Sequence, residues 1–112
     1  MTDTLLVLCT VKDWEEARTL ADALVDQRVA ACVNLLGGVE SIYRWKDQVE
    51  RSTEVILLIK TIRSRLPDLE AAIRSLHSYE VPEIIAFEVS DGDRKYLDWI
   101  REAVQSPAES PS

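Results

Sequence analysis

The segment Ala30–Lys60, AACVNLLGGVESIYRWKDQVERSTEVILLIK, limits the folds open to this chain more than any other. It holds two long β-like runs joined by a polar turn at Lys46–Gln48. Each run is more than twice a typical strand of about five or six residues. A small domain cannot easily cover such a hairpin with its own helices. The excess strand has to bend, twist away or pair with another copy of the chain. Assembly is thus indicated before any chemistry.

Within the hairpin, Gly37-Gly38 predicts a bulge or bend that splits the first run. Beyond it, Val39, Ser41, Tyr43 and Trp45 share one face, and Glu40, Ile42, Arg44 and Lys46 the other. The return strand, from about Val49 to Thr61, alternates at first and then becomes fully apolar over Val55–Ile59. The proximal half of the hairpin therefore reads as buried on both sides and the distal half as partly solvated.

The flanking segments supply the rest of the fold. Leu5–Val11 is a continuous apolar run of the kind found in a central strand. Asp13 with Glu16 reads as a capping box opening a helix that ends near Gln27. Ser64 is the predicted N-cap of a second helix, with Pro67 in its first turn and Leu66, Leu69, Ala72, Ile73 and Leu76 on one face. A fourth strand is predicted over Glu83–Val89. A last helix places Tyr96, Leu97, Ile100, Ala103 and Val104 on one stripe. The order βαββαβ plus a terminal helix is the α+β, ferredoxin-like arrangement. Right-handed crossovers put the first strand between the third and the fourth, leaving the second and fourth strands as edges. One sheet face and both rims stay open, which predicts a homo-oligomer built through sheet edges. The 112 residues are expected to form one domain over residues 1–104, with a disordered polar tail over 105–112.

Charge narrows the function. The net charge of −7, with no basic block, makes nucleic acid a poor partner. No apolar run reaches the roughly 18 to 20 residues of a membrane span. The opening MTDTLLVLCTVKDW lacks a basic leader region, so the cytoplasm is the expected compartment. The two cysteines, Cys9 and Cys32, match no zinc spacing and are expected as free thiols.

His77 is the only histidine, at the end of the second helix in LHSYEVPE. The predicted strand order brings Cys9, His77 and Glu83 toward one end of the sheet. A thiolate with an imidazole and a carboxylate suits copper or zinc better than magnesium or calcium. The blander reading is a histidine complementing a helix dipole and a cysteine filling the core. Trp45, Lys46 and Tyr79 near the hairpin tip are candidate cleft residues. Catalytic readings fare worse. There is no GxSxG, Walker or GxGxxG motif, nothing local activates Cys9, and the chain is not expected to be an enzyme.

The segments RVAACVNLL, GVESIYRWK, EVILLIKT and LHSYEVPEIIAF together resemble the CutA divalent-cation tolerance proteins, over roughly Leu5 to Val104. The resemblance implies a ferredoxin-like subunit in a compact homotrimer, similar in architecture to the PII nitrogen-signalling proteins. It also implies a role in tolerance to copper or another divalent cation, and Cys9 and His77 match the positions proposed for copper in some members. Glu83, Tyr79, Trp45 and Lys46 match the family pattern as possible cleft residues. The chain departs from that pattern at Leu76, where some members have a further histidine, and at Ser78, where proline is usual. It departs again at Gly37, where proline is common, and at Asp47, where the turn often has glycine. Two functions follow as expectations: weak, non-catalytic metal binding, or a signalling or scaffold module holding a small metabolite between subunits. A ligand-free structural trimer is a third.

Overall fold

A computed structural model describes residues 2–105. The elements are β1 (Thr4–Val11), α1 (Trp14–Asp26), β2 (Cys32–Trp45), β3 (Gln48–Ile62), a 3-10 turn (Arg63–Arg65), α2 (Leu66–Leu76), β4 (Ile85–Glu88) and α3 (Arg94–Ala103). The four strands form one antiparallel sheet in the order β2-β3-β1-β4, as the crossover rule requires. The polar tail beyond Gln105 lies outside the described residues.

Period-two alternation decides which face is covered. On β1, Leu5, Val7, Cys9 and Val11 are buried, and across the β1–β3 ladder so are Val55, Leu57 and Ile59. They pack with Ala17, Leu20 and Leu24 of α1 and Leu69, Ala72 and Ile73 of α2. Each fully buried large aliphatic side chain contributes about 1.5–3 kcal/mol. The alternate residues, Leu6 and Leu8 of β1 and Ile56 and Leu58 of β3, are only half-buried, because no helix covers their face. Leu36, Ile85 and Phe87 lie on that same side by register and are exposed. The proximal hairpin is therefore covered on one face rather than two within a single chain.

The helix ends follow local chemistry. Asp13 Oδ1 accepts the Glu16 N–H at 2.8 Å, as an N-cap should. The Glu16 side chain does not return to Asp13; it accepts from the Lys12 N–H and from Ser78 instead. At the other end of α1 the chain turns left-handed at Arg28 (φ 60°), with Val29 N–H bonded to Leu24 O and Arg28 N–H to Val25 O. This pair of bonds is a Schellman ending with arginine where glycine is usual. Ser64 is not a cap. It sits inside the 3-10 turn, and α2 starts after Arg65 with Pro67 in its first turn and no side-chain cap.

The hairpin carries two special points. The β2–β3 register shifts between Leu36 and Val39, where Gly38 adopts φ +70°. Gly37 beside it lies against the Trp14 indole so closely that a Cβ would meet Trp14 Cζ2 at 2.2 Å. At the tip Trp45 pairs with Gln48, so the turn is the two residues Lys46 and Asp47, both left-handed at φ 50° and 64°. Positive φ at both central residues is the mark of a type I′ turn, whose twist suits paired strands. From Ile42 to Arg51 the ribbon is exposed apart from its pairing, and it stretches the molecule to 52 Å.

β4 is shorter than the predicted Glu83–Val89. Its ladder with β1 covers only Leu5–Leu8, and farther along β1 the Thr10 carbonyl is taken by the His77 ring. α3 closes the opposite end of the sheet through Ile100 and Val104 on Ala31 and Ile62. Tyr96 is not on that stripe; it is exposed and stacks on Trp99 at 5.6 Å.

Candidate functional site

The far end of β1 brings two of the singled-out residues, Cys9 and His77, to one atom, the carbonyl oxygen of Thr10. Cys9 faces the core and is inaccessible to solvent, with its Sγ 3.9 Å from Thr10 O. Burial, with the charges of Glu83, Glu16 and Glu54 adding to it, pushes the Cys9 thiol up to about 12. A thiolate there lacks both solvation and a cationic neighbour. The group is a thiol across the neutral range.

His77 is the C-cap residue of α2, its own N–H closing the helix on Ile73 O at 2.8 Å. The ring nitrogens are both engaged. Nε2 lies 2.7 Å from Thr10 O, and Nδ1 accepts the Tyr79 N–H at 3.0 Å. A carbonyl can only accept, so Nε2 carries the proton and the imidazole is the Nε2–H tautomer. The ring thus binds the end of β1 rather than the helix carbonyls. As they stand, Cys9, His77 and Glu83 do not form a ligand set within one chain. Among the described residues no group of three or more His, Cys, Asp or Glu side chains could hold a metal ion. A metal there requires His77 to release Thr10 and Cys9 to lose its proton.

The loop after His77 is held in place by two carboxylates. Glu16 of α1 accepts from the Ser78 N–H at 2.9 Å and the Ser78 hydroxyl at 3.0 Å. A proline at this position could not supply that N–H. Tyr79 packs its ring 4.8 Å from His77 and donates its hydroxyl to Glu54 Oε2 at 2.7 Å. Burial first, and then the Glu54 hydrogen bond and charge, push the Tyr79 hydroxyl upward. Glu54 itself is 6% exposed, the only carboxylate buried among the described residues.

Where the hairpin passes the end of β1 and the 78–83 loop, a cleft of about 620 Å³ opens. Its walls include Thr10, Tyr43, Trp45, Glu54, Tyr79 and Glu83. The sequence marks Trp45, Tyr79 and Glu83 as candidates for a cleft between subunits; within one chain they line this cleft. Lys46 does not line the cleft; its ammonium lies over the Trp45 ring, 5.8 Å from the centroid. Cys9 and His77 sit behind the wall, His77 touching it through Thr10 and Tyr79. Glu54 was missed. Its one sequence signal is that it is the last charge before the apolar run Val55–Ile59.

Comparison with known proteins agrees with this layout. The model of the CutA1 divalent ion tolerance protein family matches residues 5–103. The divalent-cation tolerance protein CutA of Thermus thermophilus is 50% identical over 97 residues, which are 87% of this chain and 94% of that one. The human protein CutA is 45% identical over 94 residues, 84% of this chain, but this chain spans only 52% of its length. A crystal structure of CutA from Xylella fastidiosa superposes with a TM-score of 0.91 at 38% identity, covering 93% of this chain and all of that one. Compartment varies among such relatives, one from Arabidopsis thaliana being named chloroplastic and one from Archaeoglobus fulgidus periplasmic. No helix among the described residues is long and apolar enough to cross a membrane. With the family model matching residues 5–103 and a relative half identical over most of its length, the chain belongs to the CutA1 divalent ion tolerance protein family.

Proposed function

We propose that this chain serves divalent-cation tolerance in the cytoplasm as a non-catalytic homotrimer that binds copper, or another divalent ion, weakly. The observation that carries the metal reading is the meeting of Cys9 and His77 on the Thr10 carbonyl, with the Glu83 charge close enough to act on the thiol. Soft sulfur and imidazole favour copper. Weakness follows from the same geometry, since a metal has to replace a 2.7 Å hydrogen bond and expel a thiol proton. The trimer is supported by the uncovered apolar face, the two bare sheet rims and the solvent-exposed hairpin ribbon. An isolated two-stranded ribbon is marginal in water and gains from a partner.

Copper titration of the full chain tests the reading. Affinity should rise about tenfold per pH unit for each proton released, and Cys9→Ala and His77→Ala should each abolish it. Binding that ignores both substitutions and is flat with pH contradicts it. The 620 Å³ cleft supports a second reading, a small metabolite held where copies meet. Thermal stabilisation by a metabolite that persists in chelator separates this reading from the first.

A further inference from the structure

The cleft has a one-sided lining. Three aromatic rings, Tyr43, Trp45 and Tyr79, and three carboxylates, Glu54, Glu80 and Glu83, face it, and among the described residues no lysine, arginine or histidine does. Glu54 is the buried member. Tyr79 donates to one of its oxygens, and the other, which accepts from no described residue, meets solvent on the cleft side. The carboxylates are not gathered closely enough to hold a metal ion, so their charge is spread along the cleft. Spread negative charge with aromatic walls suits an extended organic cation better than a compact inorganic one. The Trp45 ring already carries one ammonium group, that of Lys46, which lies outside the cleft lining.

We infer that the cleft between the hairpin and the 78–83 loop binds a small organic cation of the polyamine or quaternary-ammonium class, its ammonium groups on Glu54 and Glu83 and its carbon body along Tyr43, Trp45 and Tyr79. This rests on the second reading above, that the cleft is a metabolite site, and names the chemical class it takes. Glu54 supplies the buried charge, and Tyr79 holds that carboxylate in place. Trp45 supplies a π face for the ligand's cationic group. The net charge of −7 adds long-range attraction for any cation.

Calorimetric titration of the full chain in chelator provides the test, with spermidine and choline as cationic probes, glucose as a neutral one and glutamate as an anionic one. The expected result is binding of at least one cation, weakened about tenfold in Glu54→Gln. Gln keeps an acceptor for Tyr79. Because a change at a buried position can disturb folding, Glu83→Gln on the exposed wall provides a second variant, expected to weaken binding severalfold. Cation binding unchanged in both variants overturns the proposal. Glucose or glutamate binding with no cation bound, lost in Trp45→Ala, overturns the cation class and leaves the metabolite reading standing. No binding by any probe overturns both.

Discussion

At the scale of single residues, Cys9 gives the clearest pH signature. Its thiol keeps its proton in the folded chain up to about 12, against an ordinary 9.0. Below pH 9 both folded and unfolded chains hold that proton, and the contribution to stability is fully present. Between 9 and about 12 only the unfolded thiol ionises, so stability should fall by about 1.4 kcal/mol per pH unit. The Tyr79 hydroxyl, also raised, steepens the fall above pH 10. Denaturant melts from pH 8 to 12 measure the slope, and Cys9→Ala should flatten it. Gly37 gives a steric test. A Cβ there drives into the Trp14 indole, over whose ring the Arg18 guanidinium also lies, 5.4 Å from its centroid. Gly37→Ala should cost about 1–3 kcal/mol by overpacking, and Trp14→Leu should recover part of it. The sequence showed that this glycine mattered but not why. Periodicity reports which face a residue takes, not which distant side chain lands on it. Glu54 escaped notice for the same reason, because its partner Tyr79 is remote in the chain.

At the scale of elements, left-handed positions without glycine are the weak points. Lys46 and Asp47 both hold positive φ in the hairpin turn. Asp47→Gly removes a steric penalty and should raise stability by about 0.5–1 kcal/mol, read as a shifted denaturation midpoint with an unchanged slope. Strand order and the bulge site were close to legible in apolar runs and the glycine pair, but the turn, expected over Lys46–Gln48, is one residue shorter because Gln48 pairs with Trp45. Ser64 was misjudged because a 3-10 turn interposes before α2, and nothing in RSRLPD separates that from a direct start. β4 was overextended because the His77 ring competes for the rim of β1, a tertiary effect. Of the candidate site, the sequence placed Cys9, His77 and Glu83 at one end of the sheet; that Cys9 and His77 share the Thr10 carbonyl was not legible in it. Their commitment to the protein's own hydrogen bonds depends on ring orientation, which spacing does not encode.

At the scale of the whole molecule, the decisive feature is the surface that one chain leaves uncovered. Leu6, Leu8, Ile56 and Leu58 lie beneath no helix, and Ile85 and Phe87 continue that side at 47% and 49% exposed. An apolar sheet face flanked by bare rims is a site of association. The double substitution Ile85→Lys with Phe87→Lys should release single chains while far-ultraviolet dichroism stays unchanged. Retained assembly in that variant would place the interface elsewhere. The most direct measurement is the molar mass of the full chain in solution, by light scattering or sedimentation at micromolar concentration. Three chains per particle, persisting on dilution, is the predicted result. A stable single chain with its hairpin in open water contradicts the account.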